Sequence, residues 1–155
     1  MSTKKKIIWL IVILFAGIQF IRPARNVSSV QALPTDVQNV VAVPQNVEAV
    51  LKASCYDCHS NNTVYPWYMN VQPAGWFMAY HIKNGKEEFN FNEFGSYSSR
   101  KQHHKLESVA DQVKSGEMPL SSYTLIHRYA ILSKEQKELI ISWAKDAQRE
   151  LNAKK

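Results

Sequence analysis

The chain has 155 residues and a formal net charge of +6, and Lys4, Lys5, Lys6, Arg22 and Arg25 all precede the first acidic residue. Beyond Arg25, fourteen cationic side chains face thirteen acids, a net of +1. The basic balance therefore belongs to the N-terminal end and excludes a nucleic-acid-binding face on the rest of the chain.

Lys4, Lys5 and Lys6 lead into an unbroken apolar run from Ile7 to Phe15, extended to Ile21. A positive stretch followed by an apolar one is the pattern of an export signal. Phe20, Ile21, Arg22 and Pro23 offer no small-residue cleavage site, so residues 1–25 are expected to stay on as a signal-anchor, a single-pass membrane helix. Fifteen residues rise only about 22 Å against a hydrocarbon core of roughly 30 Å, and snorkelling of Lys6 and Arg22 is expected to cover the difference. Residues 26–45, broken by Ser28, Ser29, Pro34, Thr35, Asp36 and Pro44, read as a linker. Residues 46–155 are long enough for one compact domain with a single core, and show no internal repeat or low-complexity run.

Within that domain the apolar spacing is helical. Asn46 is placed to cap a short helix with Val47, Val50 and Leu51 facing inward. Pro73 and Gly75 open a second helix through Trp76, Phe77, Tyr80 and His81, with Gly85 as its expected stop. Ser98 or Ser99 starts a third, with Leu106, Val109, Ala110 and Val113 on one face and Gly116 at its end. Ser133-Lys134-Glu135-Gln136 is a capping box for a fourth, along which Leu139, Ile140, Trp143, Ala147 and Leu151 recur at helical steps. Phe89, Phe91 and Phe94 are expected to pin a loop. The fold class is all-α: about four short helices, with no convincing strands.

Cys55-Tyr56-Asp57-Cys58-His59 carries the chemistry. Cys-x-x-Cys-His is the attachment signature of a c-type haem: two thioethers fix one porphyrin, and His59 is the proximal iron ligand. Zinc would need a second ligand pair at suitable spacing, and a thioredoxin-like pair would sit in a βαβ pattern; neither occurs here. These are the only two cysteines, so a disulfide between them is the remaining competitor. A short helix entering the motif and an amphipathic helix at the C-terminus give the layout of a monohaem cytochrome c, with the terminal helices crossing over one covalently bound haem c. Such attachment is made outside the cytoplasm, so the domain is expected in the periplasm with the lysines left inside.

The runs Cys55–Thr63 and Tyr65-Pro66-Trp67-Tyr68, with Gln102-His103-His104-Lys105-Leu106 and Gly116–Tyr123, resemble the small bacterial haem-binding domain family with one attachment motif. The resemblance covers roughly Val47 to Ala147 and implies a cytochrome-c-like, membrane-associated haem protein of the bacterial inner membrane.

The second axial ligand decides what the iron does. Met118 is the leading residue, because Pro119 pushes it out of the α region into an extended loop that can aim a thioether across a pocket. Met69 and Met78 are expected to pack. His81 reads as a core histidine, with ligation in place of Met118 as the alternative, and His103 and His104 read as solvated, although one of the latter, or His127, has reach to a propionate. Tyr65, Trp67, Tyr68, Trp76, Phe77 and Tyr80 are expected to pack the porphyrin faces, with Tyr65, Trp67 or Tyr123 as propionate donors. The resulting expectation is a membrane-anchored electron carrier with redox partner proteins. The alternative is a haem enzyme or gas sensor with an open distal site, for which no distal Arg–His pair is evident.

Overall fold

The structure is a computed structural model that describes residues 2–30 and 33–154. Its helices are α1 Thr3–Ile18, α2 Val37–Val40, α3 Gln45–Ser54, α4 Tyr56–His59, α5 Ala74–Glu88, α6 Ser99–Ser115, α7 Ser121–Thr124 and α8 Lys134–Ala153. Turns of 3₁₀ helix lie at Trp67–Asn70, Phe91–Ser96 and Arg128–Ala130. No strand occurs among the described residues, only an isolated antiparallel bridge between Val27 and Asn62. The chain is all-α, as its periodicity requires.

The two long helices form where local signals and burial agree. Ser133 accepts from the Gln136 amide and the Gln136 side chain accepts from that of Ser133, the reciprocal cap that starts α8. Ile140, Trp143, Ala144, Ala147 and Leu151 then bury one stripe. Helix α6 begins at Ser98, buries Leu106, Ala110 and Val113, and ends at Gly116, whose φ of 80° is left-handed and suits a residue without Cβ. Helix α6 lies along α8, and α3 packs across α8 with Val47, Val50 and Leu51 buried. Pro44, not Asn46, occupies the cap position of α3. Phe89, Phe91 and Phe94 complete the core from the loop after α5.

Three further features depart from the sequence reading. Gly85 does not stop α5, which runs on to Glu88. A Cβ at Gly85 would lie 2.7 Å from the Cys58 carbonyl oxygen, so the glycine is there for close approach of α5 to α4. The stretch read as a linker also contributes to the core: Val37 and Val41 are buried, and Thr35 and Asp36 bond to Asn92. Finally, the expected membrane-spanning helix at residues 1–25 is corrected. No helix among the described residues is long and apolar enough to cross a membrane. Helix α1 has 16 residues, or about 24 Å of rise, and ends where the Gln19 side chain turns aside to bond the Gln72 backbone.

Replacing a helix-interior glycine by alanine ordinarily stabilises by about 1 kcal/mol. Gly85→Ala is expected to do the opposite, costing on the order of 1–3 kcal/mol by overpacking against the Cys58 carbonyl. Denaturant unfolding of the variant beside wild type checks the sign.

Candidate functional site

The Cys55–His59 turn is held from both sides. Helix α3 ends at Cys55, whose amide donates to the Leu51 carbonyl at 2.8 Å, and α4 follows as a single turn with His59 N–H on the Cys55 carbonyl at 3.0 Å. Beyond His59 the chain turns back on itself: the Thr63 hydroxyl donates to the Asp57 carbonyl at 2.6 Å, and the Val64 amide to Asp57 Oδ1 at 3.0 Å. Asn26 reaches over from the N-terminal segment and donates to Ser60 O and Thr63 Oγ1. Tyr56 points away from the turn and stacks on Phe91, with ring centroids 4.6 Å apart.

His59 is oriented by α5. Its Nδ1 donates to the Phe89 carbonyl at 2.9 Å, which fixes the tautomer and leaves Nε2 free to accept or ligate. Burial lowers its pKa, so the ring is held neutral, the form a metal ligand needs. Burial pushes the Cys55 thiol up to about 12, with a contribution from Cys58, and the Cys58 thiol up to about 11. Both cysteines are free. A thioredoxin-like pair needs the reverse, a depressed thiol, so that reading has no support here.

Cys55, Cys58, His59 and Met118 line one cavity of about 470 Å³. Helix α5 supplies Tyr80, His81, Asn84, Gly85 and Glu88 to its wall; α6 supplies Lys105, Val109, Gln112 and Val113. Phe89, Phe91, Leu120, Tyr123 and Leu132 close it. Met69 and Met78 do not border it, and neither do His103, His104 and His127. His104 is exposed beside Glu107, while the Gln148 side chain donates to the His103 carbonyl.

The aromatic expectation is corrected. Of the six rings read as porphyrin packing only Tyr80 reaches the cavity, and Trp67, Phe77 and Tyr80 are exposed. Helix α5 buries Gly75 and Ile82 instead, which turns Phe77 and Tyr80 outward. Tyr65 accepts from the Asn26 amide, and the Tyr123 hydroxyl donates to Asp57 Oδ2 at 2.7 Å, so both hydroxyls have protein partners. Lys105, Asn84, Ser108 and Gln112 are polar wall residues that the sequence did not single out for the site, whereas His81, the alternative to Met118, does border the cavity. Lys105 pairs with Glu88 at 3.2 Å. His81 Nε2 is the one buried side-chain polar atom without a protein partner among the described residues, so it is available to pair with a bound group.

A second network ties the far wall to the Cys55–His59 turn. Tyr123 stacks on His127 at 4.0 Å, His127 Nδ1 donates to the Tyr123 carbonyl, and Tyr68 donates to His127 Nε2 at 2.8 Å. Tyr123 itself bonds Asp57, inside the Cys-x-x-Cys-His run. The loop that carries Met118 is thereby fastened to the loop that carries the cysteines.

A sequence model of a family described as a haem-binding domain matches residues 13–146. No curated protein and no solved structure matches the chain. The residues on the cavity wall fit a haem: a neutral imidazole with a free nitrogen, two thiols within the same turn, a thioether, an unpartnered His81 nitrogen and an otherwise largely apolar lining of suitable volume.

Burial, and then the Asp57 carboxylate that accepts its proton, raise the pKa of Tyr123 well above the ordinary tyrosine range. The neutral phenol is favoured in the folded state, so its contribution is complete below about pH 10 and is lost as pH rises beyond that. Tyr123→Phe is expected to cost about 1–3 kcal/mol at pH 7, the worth of a hydrogen bond to a charged partner. Unfolding measured from pH 7 to 11 should show the wild type losing stability more steeply than the variant above pH 10.

Proposed function

The chain belongs to the haem-binding domain family, and within it we propose a monohaem c-type cytochrome that carries electrons at the periplasmic face of a bacterial inner membrane. The observation that carries this reading is the convergence of Cys55, Cys58, His59 and Met118 on one cavity, with His59 Nδ1 already committed to the Phe89 carbonyl.

Cys55 and Cys58 would hold one haem c through thioethers. His59 Nε2 would bind its iron, and the Phe89 carbonyl keeps the ring from rotating away. Met118 would supply a second, softer donor, a thioether that favours the reduced iron. Lys105 supplies a cation at the wall for an anionic propionate. Once bound, haem supplies reversible one-electron exchange at its iron. The chain's own part is to orient His59 in advance, exclude water with Phe89, Phe91, Val113 and Leu132, and spend little reorganisation on a change of charge. Attachment to the membrane falls to α1, whose residues from Ile7 to Phe15 are all exposed and all but uniformly apolar. The redox partners are proteins of that compartment.

A second reading keeps the distal position open for a haem enzyme or gas sensor. The unpartnered Nε2 of His81 favours it, since a histidine on the wall is the residue such chemistry would use.

Haem attached by thioethers should survive acid–acetone extraction of the wild-type holoprotein, and Cys55→Ala combined with Cys58→Ala should release all of it. Extraction of all haem from wild type would overturn the covalent reading. Met118→Ala should convert a low-spin spectrum to one with a high-spin fraction, speed carbon monoxide binding and lower the potential. Met69→Ala and Met78→Ala should leave the spin state unchanged. Rapid carbon monoxide binding by the wild type would favour the open-site reading instead.

A further inference from the structure

We infer that the apolar face formed by Trp67, Val71, Phe77 and Tyr80 seats on a lipid bilayer surface, so that the mouth of the haem cavity opens at the membrane. The inference rests on the membrane attachment proposed for α1 and adds the orientation of the whole domain to it.

The observation behind it is a set of bonds that hold the end of α1 to this part of the domain. Gln19 Nε2 donates to the Gln72 carbonyl at 3.1 Å, and the Gln72 amide donates back to Gln19 Oε1 at 2.8 Å. Trp76 Nε1 donates to the Ile21 carbonyl at 2.7 Å, and Arg25 donates to Asn70 Oδ1 at 2.7 Å. The apolar helix is therefore pinned to the stretch from Asn70 to Trp76 and is not free to swing on a tether. Wherever α1 enters lipid, that stretch arrives with it.

The side chains interleaved with the pinning residues are those a soluble surface has no use for. Trp67 is 78% exposed, Phe77 51% and Tyr80 62%, with Val71 beside them at 39%. Tryptophan and tyrosine prefer the headgroup layer, where an apolar ring and a polar edge are both satisfied. Arg22 and Arg25 flank the end of α1, both exposed, and suit the negative charge of an anionic leaflet. Tyr80 belongs at once to this face and to the cavity wall, where His81 follows it. The seated face and the cavity wall thus meet at Tyr80, which brings the haem site toward the lipid surface where membrane-borne electron donors and acceptors are met.

Hydroxyl-radical footprinting of the full-length holoprotein, in solution and on vesicles of phosphatidylcholine and phosphatidylglycerol, tests this directly. Oxidation of Trp67, Phe77 and Tyr80 should fall several-fold on vesicles, together with that of Trp9 and Phe15 in α1. Val71→Ser with Phe77→Ser, both at exposed positions, should leave α1 protected and restore oxidation at Trp67. Protection of α1 alone in the wild type would overturn the seating while leaving the attachment standing. Protection of neither would overturn the attachment as well. If Trp67, Phe77 and Tyr80 are shielded only on native membranes with their proteins, the face takes a protein, and the lipid inference fails.

Discussion

The cavity exists because α5 lies closer to α4 than two helices with ordinary side chains allow. At Gly85 there is nothing between the α5 backbone and the Cys58 carbonyl, and a methyl group would sit 2.7 Å from that oxygen. One turn later the same approach brings the Phe89 carbonyl to 2.9 Å from His59 Nδ1. One turn earlier it sets His81 on the cavity wall, with Tyr80 and Asn84 on the same helix. A single absent side chain thus fixes the tautomer of the histidine, the position of one wall and the depth of the pocket. Movement of α5 by an ångström would undo all three together.

The opposite wall is fastened by hydrogen bonds rather than by close packing. Met118 lies between Gly116, which closes α6 in the left-handed region, and Tyr123, whose hydroxyl reaches Asp57. The Gly116 and Met118 amides both bond to the Gln112 carbonyl, so the loop is tied at its start to α6 and at its end to the Cys55–His59 turn. The two walls are therefore coupled through Asp57, a residue that the Cys-x-x-Cys-His pattern leaves unspecified. Ordering both walls before a ligand arrives lowers the entropic cost of binding it, the usual advantage of a preorganised site.

What could be read from the sequence divides along physical lines. The long helices α6 and α8 were legible because cap, period and terminator are local signals: Ser98 and Gly116 for one, the Ser133–Gln136 box for the other. The Cys55–His59 run stands out in the sequence because its spacing is local, and the fold sets Cys55, Cys58 and His59 on one cavity. Gly85 was misread because a glycine near a helix end looks the same whether it terminates the helix or admits a neighbour, and only the neighbour decides. The aromatic run from Tyr65 to Tyr80 was misread for a related reason. Ring density shows that surface will be buried somewhere, but the buried stripe of α5 is set by Gly75 and Ile82, and this leaves Phe77 and Tyr80 outside. Val37 and Val41 were hidden in a stretch too interrupted to show a period, although both sit in the core. Lys105 reads as one more charge on a polar helix face until α5 brings Glu88 to it.

The cavity is cut into the core rather than added to its surface. Phe89, Phe91, Val113 and Leu132 belong both to the buried apolar cluster and to the cavity lining. An apolar ligand in about 470 Å³ of such space adds dispersion contacts, and the residues it touches are the same ones that pack in the core with α3, α6 and α8. Ligand binding and folding then draw on the same contacts, and whatever tightens one stabilises the other. On this argument the haem is a structural member of the domain as well as its functional group, and the unpartnered nitrogen of His81 lies where the protein's own packing stops short.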